Sequence, residues 1–563
     1  MKRPFLLVLD ATSKIPVGLL TSVNFGELGD FNGCLDTESI DGSITARYCL
    51  GTLPASALQN LTSLSGQVYV YKGRHVGYTQ KPVRIQSALC QTKEDLSPPL
   101  TNSAIATIAI LSFFVFILLA STAYDLYCQF YGNAKPSTIL VAFSVYSNAH
   151  KLFKINKNST ELSCLNGIRV LSMLWVIIGH VYTAYFIVYP VVNYNDIITW
   201  ANSFSSMTYA SGTLSVDTFF VVGGTLVVYI FIKARSSGVK FNIFQFYIHR
   251  YLRLTPALAA ALLVSATLLE YMGSGPRWNY AKSFRAGLLR QTWYLNVDMQ
   301  LYVLSPLILL PLVKYPKLGI SLVASSILAA LVTSFYISYD RQLGGIITDM
   351  VNGYEGTQDY MTYYYNLTHM RAAPWLIGAL LGYVLAKIKF EGNTYLKPKL
   401  NKVLVIAIWA VCFATIITCV YGGHSTLRGP GYDRIGNAFY ISLLRPAWGI
   451  CIAWIIYACV VGYGGPVNWL LSLPIYQVLN RFTYSVYIVH YPIIVMIGFA
   501  AKRGAYSFWG LYMISYGVAF LWILAFESPM VILEKLIFKG GSKISHNGKP
   551  ANNGRNEVHA SSP

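Results

Sequence analysis

From about residue 103 onward the chain alternates long apolar runs with short polar connections. A helix needs about 20 predominantly apolar residues to cross the hydrocarbon core of a bilayer. Eleven runs meet or approach that length: 103–125, 168–189, 211–234, 252–272, 299–314, 317–338, 373–388, 402–421, 438–461, 483–500 and 508–531, of which the fifth and seventh are short. Residues 1–100 differ. There apolar and polar positions alternate, as in GQVYVYKGRHVGY, which suits half-exposed strands. Residues 536–563, beginning near KGGSKISHNGKP, show no apolar periodicity and read as a disordered cytosolic tail. The pattern predicts an all-α polytopic membrane protein of about 10–12 transmembrane helices. It would carry a small N-terminal extracellular or lumenal domain over 1–100 and a transmembrane unit over 101–535.

Composition narrows the functional classes. The chain has 563 residues, 54% hydrophobic and only 12% charged. Soluble domains carry about 25% charged residues, so a soluble enzyme is excluded. The net charge of +20 lies mostly at the ends of spans, and nucleic acid is not an expected partner. Lys and Arg accumulate in cytosolic connections. With residues 1–100 outside, the inner segments hold Lys151, Lys154, Lys157, Lys233, Arg235, Lys240, Arg250, Arg253, Lys314, Lys317, Lys387, Lys389, Lys397, Lys399 and Lys402. Arg277, Lys282, Arg285 and Arg290 break the trend. Sequons at Asn60 and Asn366 then fall outside and one at Asn158 inside. The opening MKRPFLLVLD is too short an apolar run for a signal peptide, so the reading expects an export signal upstream, or an anchoring role for the span at 103–125. Cys34, Cys49 and Cys90 lie in the N-terminal segment, while Cys412, Cys419, Cys451 and Cys459 lie in apolar runs and read as packing residues. No cysteine or histidine spacing suggests a metal.

Ionisable side chains inside hydrocarbon are expensive and point to function. Arg169 and His180 share the run IRVLSMLWVIIGHVYTAYFIVY, eleven positions apart. That is roughly 16 Å along a helix axis, which puts His180 near mid-membrane if Arg169 sits at one face. Imidazole is suited to moving protons near neutral pH, although a core histidine bonded to a neighbouring helix would occupy the same place. SVDTFFVVGG puts Asp217 beside Gly223 and Gly224, and the glycines read more readily as packing than as chemistry. FYIHRYLRLTPAL carries His249, Arg250, Arg253 and Pro256; the arginines suit an anionic cytosolic donor, but the positive-inside rule alone accounts for them. TWYLNVDMQLYVLSP contributes Trp293, Asp298 and Gln300. RFTYSVYIVHYPII repeats the arginine-then-histidine order with Arg481 and His490. Arg445 lies deep in an apolar span and needs a carboxylate, either Asp217 or Asp298.

These blocks, with VVGYGGPVN at 460–468, occur in an order that resembles the acyltransferase-3 family of integral membrane O-acyltransferases. The N-terminal LDATSKIPVGLLTSVNFGELGDFNGCLD resembles the extracellular domain of the family's animal, nose-resistant-to-fluoxetine branch. The loop GSGPRWNYAKSFRAGLLRQ looks shorter than in that branch, and the cysteine-rich part looks trimmed near ALCQTKEDL. The resemblance implies that Arg169 and His180 match the family's R-x10-H pair. Phe219 to Gly224 match its FFVLSG-type helix, Arg250, Arg253 and Pro256 its R-x-x-R-I-x-P element, and Trp293 and Asp298 a W-S-L-x-x-E-like block with Asp in place of Glu.

The implied activity is transfer of an acyl group from acyl-CoA, a co-substrate rather than a tightly bound cofactor, to a hydroxyl of a lipid or small-molecule acceptor. His180 would be the general base and Arg169 would hold the donor or orient the helix. Asp217 and Asp298 would support His180 or the acceptor, and Arg250 and Arg253 would bind CoA phosphates. The expected location is the plasma membrane or endoplasmic reticulum. A carrier for lipids or lipophilic compounds, and an inactive receptor-like protein working through its N-terminal domain, would use the same polar residues differently.

Overall fold

The computed structural model describes residues 91, 93–132, 136–155, 162–187, 199–201, 203–275, 277–283, 289–345, 359–424, 433–501 and 508–539, with short backbone segments at 51–52, 68–71, 74–77 and 84–85. Of those segments, Val68–Tyr71 pairs antiparallel with Arg74–Gly77, and Gly51–Thr52 with Arg84–Ile85. Cys34, Cys49, Cys90, Asn60, Asn158, Lys157 and residues 540–563 lie outside the described residues, whereas 536–539, expected to begin the disordered tail, close a helix that runs to Lys539.

The rest is helical. In chain order the helices are α1 (Asn102–Phe130), α2 (Val145–Phe153), α3 (Cys164–Ile187), α4 (Leu214–Ser236), α5 (Ile243–Thr267), α6 (Trp278–Ser283), α7 (Trp293–Leu304) and α8 (Pro306–Lys314). They continue as α9 (Pro316–Asp340), α10 (Thr368–Phe390), α11 (Lys402–Tyr421), α12 (Arg434–Val461), α13 (Gly465–Leu471), α14 (Ile475–Ala500), α15 (Phe508–Trp522) and α16 (Ser528–Lys539). Polar caps fix several starts. Thr101 accepts from Ala104 N, Asn242 from Phe244 N and Gln245 N, Asn401 from Leu404 N, and Asp433 from Gly436 N. In the 460–468 block, Gly462 takes a φ of 107° and closes α12, a left-handed position that disfavours a side chain.

Among the described residues ten helices are long and apolar enough to cross a membrane, not eleven. The missing one is the expected span at 252–272. It falls on α5, whose first turns carry His249, Arg250 and Arg253 and dilute its apolar character. It still runs between the two ends of the bundle. Tyr247 near its start bonds to Val303 O (2.8 Å), and Tyr271 just past its end receives Thr101 N (3.0 Å) at the head of α1. The two runs that looked short are longer in the structure: Trp293–Lys314, where α7 and α8 meet at Ser305–Pro306, and Thr368–Phe390.

Two apolar cores share α3. One gathers α4, α7, α10 and α12 around Phe220, Trp375 and Ile456. The other gathers the outer half of α3 with α5, α14 and α15 around Met173, Val486 and Ile494. Helices α1, α9 and α11 lie at the periphery, exposing Phe116, Leu328 and Val411 as lipid-facing helices do, while Val323 of α9 and Cys419 of α11 reach the first core. The tightest crossing is α4 on α10. A Cβ on Gly224 would lie 2.1 Å from Trp375 O, and one on Gly378 2.1 Å from Val221 O. Small residues let backbones meet this closely in membranes, which bears out the packing reading of Gly224. Cys412, Cys419, Cys451 and Cys459 are buried, as packing residues should be.

Candidate active site

The centre of the site is a pair of histidines from α3 and α14. His180 Nδ1 lies 2.9 Å from His490 Nε2, and His490 Nδ1 lies 2.9 Å from Val486 O. These contacts fix the tautomers. A carbonyl only accepts, so His490 Nδ1 carries a proton and donates it to Val486 O. In neutral His490 the other nitrogen, Nε2, is then the acceptor, so His180 Nδ1 must donate to it. His180 Nε2 is left with its lone pair, and among the described residues no group bonds to it. His490 is fully buried, whereas His180 is half-buried, with Tyr491 packed edge-on at 5.0 Å. One imidazole is thus oriented by the other, with a nitrogen left able to accept a proton.

α14 is shaped to serve this pair. Pro492 has no N–H, so the Ile488 carbonyl loses its helical partner. Gln291, in the segment before α7, fills the gap by donating Nε2 to Ile488 O at 3.2 Å. Tyr487 returns the contact through its hydroxyl to Gln291 O. Near the N-terminal end of α14 Arg481 bonds Lys151 O (2.7 Å) and Leu152 O (2.6 Å), so it anchors α14 to the end of α2. The two arginine–histidine blocks of the sequence therefore converge at their histidines and diverge at their arginines.

Roughly 16 Å inward along α3 from His180 lies Arg169. Its electrostatic neighbours are Tyr294, Arg253, Asp298 and Arg250. Arg250 Nη2 is paired with Asp298 Oδ2, and its guanidinium stacks 4.3 Å from the centre of the Tyr302 ring. Arg253 is exposed and feels Glu527, which accepts from Ser485 Oγ at 2.5 Å. Asp298 was expected to support His180 or the acceptor; it pairs with Arg250 and makes no bond to His180. The reason is position: it enters on α7 beside Gly223, whose Cβ would stand 3.5 Å from Asp298 Oδ1, at the arginine end of the site. Glu527 was legible as a carboxylate in an apolar run. It sits on a π turn, Ile523–Glu527, which no period in the sequence announces.

Asp217, expected to support His180 or the acceptor, makes no bond to His180 either. It is fully buried and bonded to two arginines. Arg371 Nη1 donates to Oδ1 (3.0 Å) and Oδ2 (2.9 Å), and Arg445 Nη1 donates to Oδ2 (2.8 Å). Arg445 was expected to pair with Asp217 or Asp298, and it takes Asp217. Arg371 was missed because the expected span at 373–388 began two residues after it. Arg371 Nε also donates to Tyr365 O (2.8 Å), and Arg445 Nε to the Tyr364 hydroxyl (2.7 Å). Both guanidiniums lie over aromatic rings, Arg371 over Tyr365 (4.2 Å) and Trp293 (4.9 Å), Arg445 over Tyr364 (4.6 Å). Two cations around one carboxylate leave a surplus positive charge in a water-poor interior. This cluster holds α4, α10 and α12 together, and no bond joins Asp217 to His180.

A profile of an acyltransferase domain, Acyl_transf_3, matches residues 162–528, which takes in every residue of this site. The chain belongs to the acyltransferase-3 family. Among curated relatives it is similar to nose resistant to fluoxetine protein 6 of Caenorhabditis elegans, 26% identical over 464 residues, covering 73% of this chain and 56% of that protein. It is also similar to regulator of hypoxia-inducible factor 1 of the same organism, 24% identical over 412 residues, covering 64% of this chain and 76% of that protein. A Bacillus subtilis protein whose name carries a provisional peptidoglycan O-acetyltransferase assignment, YrhL, is 25% identical over 350 residues, covering 58% of this chain and 49% of its own length. The chain thus spans about half the length of the first and third of these relatives. No solved structure matches it. With ten apolar spans and this family domain, it is a multi-pass integral membrane protein.

Proposed function

We propose that this acyltransferase-3 chain moves an acyl group from a cytosolic acyl-CoA to the hydroxyl of a lipid or small-molecule acceptor, with His180 as general base. The observation that carries the reading is the directed pair of hydrogen bonds from His180 to His490 to Val486 O, which leaves His180 Nε2 as a lone pair at mid-helix. In the step, His180 Nε2 takes the acceptor's hydroxyl proton as its oxygen attacks the thioester carbonyl. The C–O bond forms, the carbonyl electrons move onto oxygen, and their return breaks the C–S bond. The thiolate leaves with the proton that His180 gives back. General base catalysis of this kind contributes about 10²–10⁴-fold.

Arg169, Arg253 and Arg250 form the basic end of the site, on the side assigned to the cytosol by the positive-inside pattern, where CoA phosphates would arrive. Arg253 is the freer of the two α5 arginines, because Arg250 is already paired with Asp298. The membrane is the plasma membrane or endoplasmic reticulum, with residues preceding α1 outside. The O-acetyltransferase name of the bacterial relative fits this chemistry.

The test uses the full chain in liposomes containing dioleoylglycerol as the hydroxyl probe, with acetyl-, octanoyl- and palmitoyl-CoA as donors. Release of free CoA thiol above protein-free liposomes is expected, and His180→Ala should reduce it by about 10²–10⁴-fold. No release with any of the donors, or full release by His180→Ala, would overturn the assignment.

A further inference from the structure

Between the histidine pair and the arginine end stands Tyr294, whose hydroxyl makes no hydrogen bond among the described residues. Tyr294 is the second residue of α7, and aromatic neighbours hold its ring: Phe220 (4.8 Å between ring centres), Tyr487 (5.6 Å), Phe219 (6.1 Å) and Trp293 (6.5 Å). The surrounding phenols are committed. Tyr487 donates to Gln291 O, Tyr484 to Leu254 O (2.6 Å) and Tyr302 to Phe246 O (3.1 Å). Among the described residues the Tyr294 hydroxyl bonds to nothing. Tyr294 is half-buried, so its hydroxyl is open to a bound ligand oxygen.

Its position gives it a use. Inward, it is an electrostatic neighbour of Arg169, Asp298 and Arg250. Outward, its ring contacts Tyr487, which contacts His490 (6.2 Å), which contacts His180 (5.1 Å). Behind it, Trp293 carries the Arg371 guanidinium of the cluster with surplus positive charge. A thioester held at the arginine end and attacked beside His180 must place its carbonyl between the two. Charge developing on that oxygen would meet a fixed O–H and a positive background.

We propose that the Tyr294 hydroxyl is the donor that stabilises the tetrahedral oxyanion of the acyl transfer. This rests on the acyl-transfer reading above. The phenol keeps its proton throughout: it donates a hydrogen bond to the oxyanion while His180 alone carries the proton taken from the acceptor. Loss of one such donor costs about 10²–10³ in turnover.

The test compares wild type with Tyr294→Phe, which keeps the ring and its packing, in the same liposomes with the acyl-CoA that wild type uses best. Expected is a fall in kcat of about 10²–10³-fold, with the KM for acyl-CoA and the thermal midpoint unchanged. Wild-type kcat in Tyr294→Phe, or a loss confined to KM or accompanied by a lower midpoint, would overturn it. Wild type inert toward every thioester would sink the acyl-transfer reading itself, and that result appears before any variant is compared.

Discussion

Replacing Asp217 by asparagine keeps the size of the side chain and removes the one negative charge facing two buried guanidiniums. Asp217 accepts three charge-assisted hydrogen bonds, two from Arg371 and one from Arg445, and the side chains are 0%, 0% and 3% exposed. The cluster carries one net positive charge now. In Asp217→Asn it would carry two, facing one neutral carbonyl oxygen. Water cannot reach to screen them. Removing one partner from a buried ion pair costs about 3–5 kcal/mol.

Arg371→Met gives the contrast. It deletes a larger group and its contacts to Tyr365 and Trp293, yet leaves Asp217 and Arg445 at zero net charge. Its cost should stay within the about 0.5–3 kcal/mol of ordinary substitutions. Thermal midpoints in detergent, read by the monodisperse fraction on size exclusion, give the order: wild type, then Arg371→Met, then Asp217→Asn. Asp217→Asn as stable as Arg371→Met would show that charge balance does not govern this cluster.

Two further outcomes are expected. His490→Gln, which keeps an acceptor for His180 Nδ1, should retain more thiol release than His490→Phe, which should fall toward the His180→Ala level; equal rates would remove the orienting role of His490. Gly378→Ala, whose Cβ would stand 2.1 Å from Val221 O, should lower the thermal midpoint, while Gly517→Ala, with nothing within 4 Å, should not; equal midpoints would mean that α4 and α10 are free to separate.

The transmembrane architecture was legible because apolar length is a one-dimensional signal. The exception is instructive: α5 runs the length of the bundle with His249, Arg250 and Arg253 in its first turns, so length and composition disagree there. Single site residues were legible for a related reason. An ionisable group in an apolar run stands out whatever it does, which picks out Arg169, His180, Asp217, Asp298, Arg445 and His490. Their pairings were not, since a pairing depends on how helices cross. His180 and His490 are 310 residues apart in the chain, and Asp217 and Arg445 are 228 apart. Arg371 escaped notice because it lies on the first turn of α10, where a boundary error of a few residues moves it out of the span. Tyr294 escaped because one of 42 tyrosines carries no mark until its neighbours' hydroxyls are accounted for.

The break at Pro492 has a mechanical meaning. The bond that orients His490 runs to Val486, before the break, and Tyr491, which covers the His180 ring, is the last residue ahead of it. Bending concentrates where a helix lacks a rung of its ladder. Any tilt of α14 beyond Pro492 would leave His490, Tyr491 and the bond to Val486 with the part before the break. Alignment and cover of the base therefore both rest on the stretch of α14 before Pro492, and the stretch after it carries none of the bonds that set the tautomer.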